Sequence, residues 1–308
     1  MKNKKIVVTG GTGFVGKHVI QELVGRGYTY CVPLGSQDFD LTGQWDVLNM
    51  YANLKPDIII HLAAKVGGIG ANQASPGKFF HDNMTMGLNV IEQGRLFNVE
   101  KIVFVGTICE YPKYTSIPFD EENLWAGYPE ETNAPYGIAK KALGVMLQGY
   151  YDEYDLKSAY VLPTNMYGPG DNFDPSSSHV IPALIRKVMK AKEDNADHIT
   201  VWGDGTPTRS FLYVKDAARG IVDAMEKVKH PIPINLGCTT EISMETLALM
   251  ICDLCHFRGK IEFDILKPNG QPRRAVSFHR AEKMLQWKPT TQLLDGLKLS
   301  IDDYLSKQ

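Results

Sequence analysis

Four stretches of the chain are apolar without alternation: KIVVTG at 5–10, DIIIHLAA at 57–64, KIVFVG at 101–106 and KSAYVLPT at 157–164. A half-exposed strand carries one apolar residue in two, so runs of this kind predict parallel strands covered on both faces. Between them the apolar positions recur at helical spacing from Gly13 to about Arg26, from Pro76 to about Phe97 and from Ala134 to about Tyr154. This alternation predicts an α/β fold, a Rossmann-type doubly wound parallel sheet. After Gly168 the pattern loosens. A loop rich in Pro, Asp and Ser (169–178) leads to a helix, and FLYV (211–214) and PINLG (233–237) are expected to return to the sheet. Residues 241–308 offer helices around 243–256 and 293–305 and a short strand near 261–265. The expected division is a nucleotide-binding domain of residues 1–168 plus about 211–240, and a smaller, discontinuous C-terminal substrate domain of about 169–210 plus 241–308. A cleft is expected between them.

Composition narrows the function classes. With 44% hydrophobic and 22% charged residues and a net charge of −2 over 308 residues, the chain lacks the basic excess of a nucleic-acid binder. Its basic start, MKNKKIVVTGG, meets glycine too soon to be a signal-peptide core or a membrane span, so a cytoplasmic protein with no membrane partner is expected. Cys252 and Cys255 form CDLC, but no second pair completes a zinc site, and no metal is expected.

TGGTGFVG (9–16) directly follows the first strand and opens the first helix. Gly10, Gly13 and Gly16 there allow a tight turn, close approach of backbone N–H groups to a pyrophosphate, and a helix N-terminus aimed at the anion. The second strand ends in VPLGSQDFDL (32–41), where Ser36 stands at the tip with no arginine and Asp38 follows slightly later. Ser36 and backbone N–H groups suit a 2′-phosphate, so NADP(H) is favoured over NAD(H). Asp40 is expected to face the adenine.

Tyr136 and Lys140 lie four apart in NAPYGIAKKALG (133–144), hence on one helix face. A nearby ammonium and a nicotinamide cation would favour phenolate and let Tyr136 serve as acid or base near neutrality. Thr107 closes the third apolar run, at a strand carboxyl end where such sheets bind ligands. In VGTICEYPK (105–113), an extended strand would put Thr107 and Cys109 on one face and Glu110 on the other.

The glycine turn, Thr107 and the Tyr136-Gly-Ile-Ala-Lys140 motif resemble an extended short-chain dehydrogenase/reductase. AAKVGGIGAN (63–72), CEYPK (109–113), PTNMYGPGDNFDPSSSHVIPALIRK (163–187), VWGDGTPTRSFLYVKD (201–216) and KPNGQPRR (267–274) narrow the resemblance. In this order they are similar to the GDP-L-fucose synthase branch, the GDP-4-keto-6-deoxymannose 3,5-epimerase/4-reductases, over nearly the whole chain.

That resemblance implies a GDP-linked 4-keto-6-deoxy sugar as substrate and two reactions in one site. Carbons 3 and 5, acidified by the C4 ketone, are inverted with Cys109 and His179 exchanging protons. NADPH then reduces C4, with Tyr136 protonating the oxygen, Lys140 tuning it and Thr107 positioning the ketone. Cofactor contacts are implied for Gly10, Thr12, Gly13, Phe14, Val15 and Gly16, then for Ser36, Asp40 and Leu41. Leu62, Ala63 and Ala64 follow, then Pro163, Asn165 and Met166, joined by Tyr136, Lys140 and His179. Substrate contacts are implied for Lys65, Val66 and Gly67, for Thr107, Cys109 and Asn165, and for Val180, Lys187, Trp202, Arg209, Arg273 and Lys283. Arg209 would grip the diphosphate, and Asn165 would extend a proton relay from Lys140. A homodimer through the helices at about 76–97 and 134–154 is also implied.

The residue types alone leave alternatives. Cys109 could be a buried small hydrophobe, His179 a helix cap, Arg209 a surface ion-pair partner, and Trp202 either a stacking plate for guanine or a packing residue. The chain also departs from the family, which has serine where Thr107 stands, a polar residue at Ile108 and an apolar one at Glu110. A carboxylate facing the thiol would disfavour its charged form. Two further readings follow: a C4 reductase of a related GDP-4-keto-6-deoxy-heptose with little or no epimerase activity, and a non-catalytic NADP(H)-sensing protein, against which the Tyr136–Lys140 pair argues.

Overall fold

The computed structural model describes residues 2–175 and 177–307. In chain order, β1 (Lys5–Thr9), α1 (Phe14–Gly25), β2 (Tyr30–Leu34), α2 (Gln44–Leu54), β3 (Ile58–His61), α3 (Ile69–Ala74), α4 (Pro76–Leu96), β4 (Lys101–Val105), α5 (Ala134–Tyr154) and β5 (Ser158–Pro163) build the first half. There follow β6 (Asn165–Tyr167), α6 (Val180–Glu193), β7 (His198–Trp202), β8 (Thr208–Arg209), β9 (Phe211–Tyr213), α7 (Val214–Lys227) and β10 (Pro233–Leu236). The chain closes with β11 (Ile242–Ser243), α8 (Met244–Leu254), β12 (Lys260–Asp264), β13 (Arg273–Arg274), α9 (His279–Leu285) and α10 (Leu293–Leu305).

A six-stranded sheet in the order β10-β5-β4-β3-β1-β2 forms the centre, and every pairing in it is parallel. The unbroken apolar runs are explained by burial: β3, β4 and β5 are buried at every position. One face packs on α1, α7 and α9, with Val8, Val19, Ile221 and Trp287 in its core. The other face packs on α2, α4 and α5, with Ile59, Val90, Phe104 and Leu143. From β1 the chain goes outward to β2 and then back across to β3. That reversal opens a crevice at the carboxyl ends of β1 and β3, where ligands of such sheets bind.

The second unit packs α6, α8 and α10 around Ile185, Val201, Leu247 and Leu297. Its strands form small sheets, β12 beside β7 and β11-β8-β13. Two expectations change here. FLYV does not return to the main sheet: Phe211–Tyr213 pairs in parallel with Asn165–Tyr167 as a separate two-stranded ribbon. PINLG does return, as the edge strand beside β5. The stretch around α9, expected in the substrate unit with 241–308, packs instead on α7 and β10 of the nucleotide unit, because Ala281, Leu285 and Trp287 fill that core. No helix among the described residues is long and apolar enough to cross a membrane.

Candidate active site

The crevice floor is the glycine turn. Gly10 has φ +70°, and a Cβ there would lie 2.9 Å from the Ala63 backbone nitrogen; a Cβ on Gly16 would lie 2.1 Å from the Gly10 oxygen. Only glycine fits both places. Gly13 caps α1 without a side-chain hydrogen bond, so the first N–H groups of that helix stay available to an anion. Leu62, Ala63 and Ala64 continue from β3 on the other wall. This cradle fits a dinucleotide pyrophosphate.

At the tip of β2 the Asp38 carboxylate accepts the Gly35 N–H at 2.7 Å. Ser36 is left exposed in that turn. Asp40, expected to face the adenine, accepts the Thr42 N–H at 2.9 Å and the Thr42 hydroxyl at 2.7 Å, and these bonds hold its pKa below the usual carboxylate value. Leu41 is buried, its carbonyl held by the Asn89 amide at 3.0 Å.

Residues 105–110 do not continue the strand. β4 ends at Val105, and Thr107 caps a single 3-10 turn, Ile108–Glu110. The Thr107 hydroxyl accepts the Cys109 N–H at 3.2 Å, while the Glu110 carboxylate accepts the Thr107 N–H at 2.8 Å. This is a capping box, and it replaces the expected strand alternation. Thr107 and Cys109 are drawn together by the turn. Glu110 is wholly buried, bonded also to the Tyr160 hydroxyl, and burial pushes its carboxyl up to about 8.

α5 lies directly against this turn. A Cβ on Gly137 would stand 2.2 Å from the Cys109 carbonyl oxygen, so the motif's glycine permits the approach. Next to it, the Tyr136 hydroxyl lies close enough to the Thr107 side chain for that hydroxyl to act on its proton affinity. Burial, with Cys109 and Glu110 nearby, pushes the Tyr136 pKa upward, and Thr107 only partly opposes this. In the protein alone, with no nicotinamide cation beside it, Tyr136 thus keeps its proton, the form an acid needs. Lys140, 2% exposed, donates to the Val105 oxygen at 3.1 Å and sits 4.8 Å from the Phe104 ring centroid. Burial lowers its pKa to about 8, with Glu110 acting in the opposite direction.

The second unit supplies cations. β13 lies parallel to β8 with Arg274 opposite Arg209. Arg274 is buried and directs Nη1 to Cys109 Sγ at 3.7 Å, while its Nε donates to Gln271 Oε1 at 3.1 Å. Gln271 in turn donates to the Lys113 oxygen at 2.8 Å. Arg273, the expected ligand, faces outward and pairs with Glu241, its Nε donating at 3.1 Å. Neighbouring strand residues point oppositely, so Arg274 and not Arg273 faces the turn after β4. Arg209 donates to the Thr208 oxygen at 2.8 Å, and burial beside Arg274 lowers its pKa.

Around the cleft mouth, the Lys65 N–H and carbonyl are tied to the Asn83 side chain, and Asn72 donates to the Gly67 oxygen at 2.9 Å. Neither asparagine was anticipated; AAKVGGIGAN gave no sign of which polar residue held the loop. Val66 is exposed beside it. A Cβ on Gly68 would lie 3.3 Å from the Ser178 oxygen, which brings this loop against the segment before His179. His179 occupies the cap position of α6, ahead of Val180, but its imidazole makes no capping bond. It is open to water yet recessed among protein atoms, and that desolvation lowers its pKa below 6.5. Trp202 is 51% exposed, with Lys187 and Lys267 at 6.0 and 5.2 Å from its ring centroid. Lys187 also donates to the Thr200 oxygen at 2.8 Å.

Asn165 donates to the Ser210 oxygen at 3.3 Å, and Lys140 donates to the Val105 oxygen at 3.1 Å. Lys283 lies on α9, between Arg280, which binds the Pro233 oxygen at the start of β10, and Leu285, whose oxygen accepts from Lys227 at the end of α7. Both anchors are at the amino edge of the sheet, opposite the crevice, so the expected contact of Lys283 with substrate is not met. Among the described residues no group of three or more His, Cys, Asp or Glu is arranged to hold a metal ion.

Residues 6–237 match the model of the NAD dependent epimerase/dehydratase family. The GDP-L-fucose synthase of Sinorhizobium fredii is 41% identical over 306 residues, covering 99% of this chain and 97% of that protein. The chain belongs to this family, in its GDP-L-fucose synthase branch. Among solved structures similar to this family member, a GDP-L-fucose synthetase from Naegleria fowleri bound to NADP has a TM-score of 0.88 and 30% identity, covering 100% of this chain and 95% of that one. A GDP-6-OMe-4-keto-L-xylo-heptose reductase from C. jejuni has a TM-score of 0.93 at 26% identity, covering 100% and 99%. The family member is an enzyme.

Proposed function

We propose that the chain reduces the C4 ketone of a GDP-linked 4-keto-6-deoxy sugar with NADPH, after inverting C3 and C5 of the same ring. The observation that carries this reading is the turn 105–110. It presents the Thr107 hydroxyl to Tyr136, holds Lys140 through the Val105 oxygen, and sets Cys109 against Arg274.

Thr107 and Tyr136 together grip the ketone oxygen, which acidifies the neighbouring C–H bonds by favouring the enolate. Cys109 reacts as the thiolate, which the Arg274 guanidinium faces, and becomes the neutral thiol as it takes a proton from the ring carbon to leave the enolate. His179, in the opposing loop, exchanges a proton on the other ring face. Reduced nicotinamide supplies the hydride for C4. Tyr136, which keeps its proton in this environment, then delivers it to the C4 oxygen, and Lys140 offsets the charge left behind. Arg209 and Arg274 form a recessed cationic pair suited to the diphosphate end, and Trp202, flanked by Lys187 and Lys267, suits the guanine. NADP(H) is preferred over NAD(H) because Asp38 spends its carboxylate on the Gly35 N–H, leaving the tip of β2 with exposed Ser36 and no acid free for a ribose hydroxyl.

The overall likeness to the heptose reductase favours a second reading, reduction of a heptose relative with little epimerisation. Cys109 beside Arg274 supports the bifunctional one. Incubation with GDP-4-keto-6-deoxymannose in D₂O without NADPH separates them: deuterium entering C3 and C5 supports epimerisation, and NADPH oxidation with no such exchange leaves a reductase. Exposed Phe80 and Leu88 on α4 and Val145 on α5 support a homodimer through these helices. Sedimentation of the chain with Leu88→Glu tests it, a shift to monomer being expected.

A further inference from the structure

Glu110 is absent from the reactions described above, yet it is among the most enclosed groups of the molecule. Its carboxylate lies beneath the three residues that carry the reducing machinery. One oxygen accepts the Thr107 N–H at 2.8 Å, and a Cβ placed on Gly106 would come within 2.4 Å of that same oxygen. The other oxygen is bonded to the Tyr160 hydroxyl of β5. On the far side of the same turn, the Val105 carbonyl holds Lys140 at 3.1 Å and the Thr107 side chain meets Tyr136. The turn is thus clamped between a buried carboxyl behind and the Tyr–Lys pair in front.

We infer that Glu110 is a positioning residue for ketone reduction, fixing the Thr107 hydroxyl through the capping box and, with Tyr160, setting the negative charge that Lys140 and Tyr136 experience. The inference rests on the proposed reductase activity and extends it. The charged or titratable groups facing Glu110 are Lys140, Lys141 and Tyr136 on α5, Tyr160 on β5, and Tyr111 just beyond the turn. Burial raises the Glu110 carboxyl to about 8 and the lysines only partly oppose this, so its charge develops on the alkaline side, in the range where Lys140 also titrates. The carboxylate in turn favours the protonated forms of Lys140 and Tyr136. A clamp that were only mechanical would leave proton affinities alone. A buried charge within several ångströms, at an effective dielectric near 20, is worth on the order of one pH unit to its neighbours.

Three variants separate the two aspects. Glu110→Gln keeps an oxygen for the Thr107 N–H and removes the charge. Tyr160→Phe keeps the carboxyl and removes one of its bonds. Glu110→Ala removes the clamp. Single-turnover NADPH oxidation is followed from pH 6 to about 10, with NADPH binding and Tm measured in parallel. In Glu110→Gln the alkaline limb of the rate should move down by roughly one pH unit while NADPH affinity stays within threefold. Tyr160→Phe should move it in the same direction by less, because a carboxylate with one bond fewer ionises less readily. Glu110→Ala should lose about tenfold or more of the plateau rate, recovered in Glu110→Gln at low pH. An unmoved limb in both Glu110→Gln and Tyr160→Phe overturns the electrostatic role. A full plateau rate in Glu110→Ala overturns the positioning role. If the wild type oxidises no NADPH, the functional reading has failed instead. The titration of Lys140 in ¹³C-lysine-labelled protein then reads the same shift without substrate, and equal titration in wild type and Glu110→Gln overturns the inference.

Discussion

Nη1 of Arg274 lies 3.7 Å from Sγ of Cys109, across the cleft between the nucleotide unit and the small sheet β11-β8-β13. The contact joins the turn after β4 to the second unit. It also answers the concern raised by Glu110: the charge that faces the thiol is a guanidinium, and the carboxylate is turned into the core.

Replacing Arg274 should therefore impair proton exchange more than hydride transfer. A charge-assisted bond of about 1.5–3 kcal/mol corresponds to roughly 10–100-fold in rate. For Arg274→Met, exchange of deuterium into C3 and C5, followed by NMR, should fall by that factor beyond any change in KM. Unchanged exchange under saturating substrate would show that the contact has no part in epimerisation.

Tyr136→Phe removes the proton donor while leaving the cradle and Cys109 in place. Reduction should drop by about 10²–10⁴-fold, the usual contribution of a general acid. Exchange at C3 and C5 should remain measurable. Stopped-flow NADPH oxidation checks the first statement and NMR the second.

Lys140 titrates at about 8 because burial disfavours its charged form. Its ammonium is needed to offset charge near Tyr136, so the reduction rate should be level below that pH and fall as pH rises through about 8. A rate that climbs through pH 9 would contradict this sign. Lys140→Met should flatten the limb at a low rate.

Ser36 stands exposed at the β2 tip, with Asp38 engaged by the Gly35 N–H. Placing a second carboxylate there, Ser36→Asp, should repel a 2′-phosphate and weaken NADPH binding by about tenfold or more relative to NADH. Fluorescence titration with both cofactors reads this ratio directly.

The strands were legible because burial on both faces writes itself as unbroken apolar runs, and the glycine turn because only glycine tolerates its contacts. Other features follow a local rule different from the one their neighbours suggest. Thr107-Ile-Cys-Glu110 is a capping-box signature, and it governs the chain from Val105 onward in place of strand alternation. Arg273 and Arg274 are adjacent and chemically alike; only their pairing with β8 decides which one faces the cleft. FLYV had the composition of a sheet strand, but its partner is Asn165–Tyr167. The position of Lys283 depends on where α9 docks, a tertiary fact with no local signature.

The most direct test follows hydrogen from cofactor to product. GDP-4-keto-6-deoxymannose, and in parallel its heptose counterpart, is incubated with the enzyme and NADPH carrying deuterium at the transferable position. The account predicts equimolar NADPH oxidation and deuterium at C4 of a GDP-6-deoxy sugar, from at least one of the two substrates. Oxidation of neither, with NADPH demonstrably bound, would contradict it.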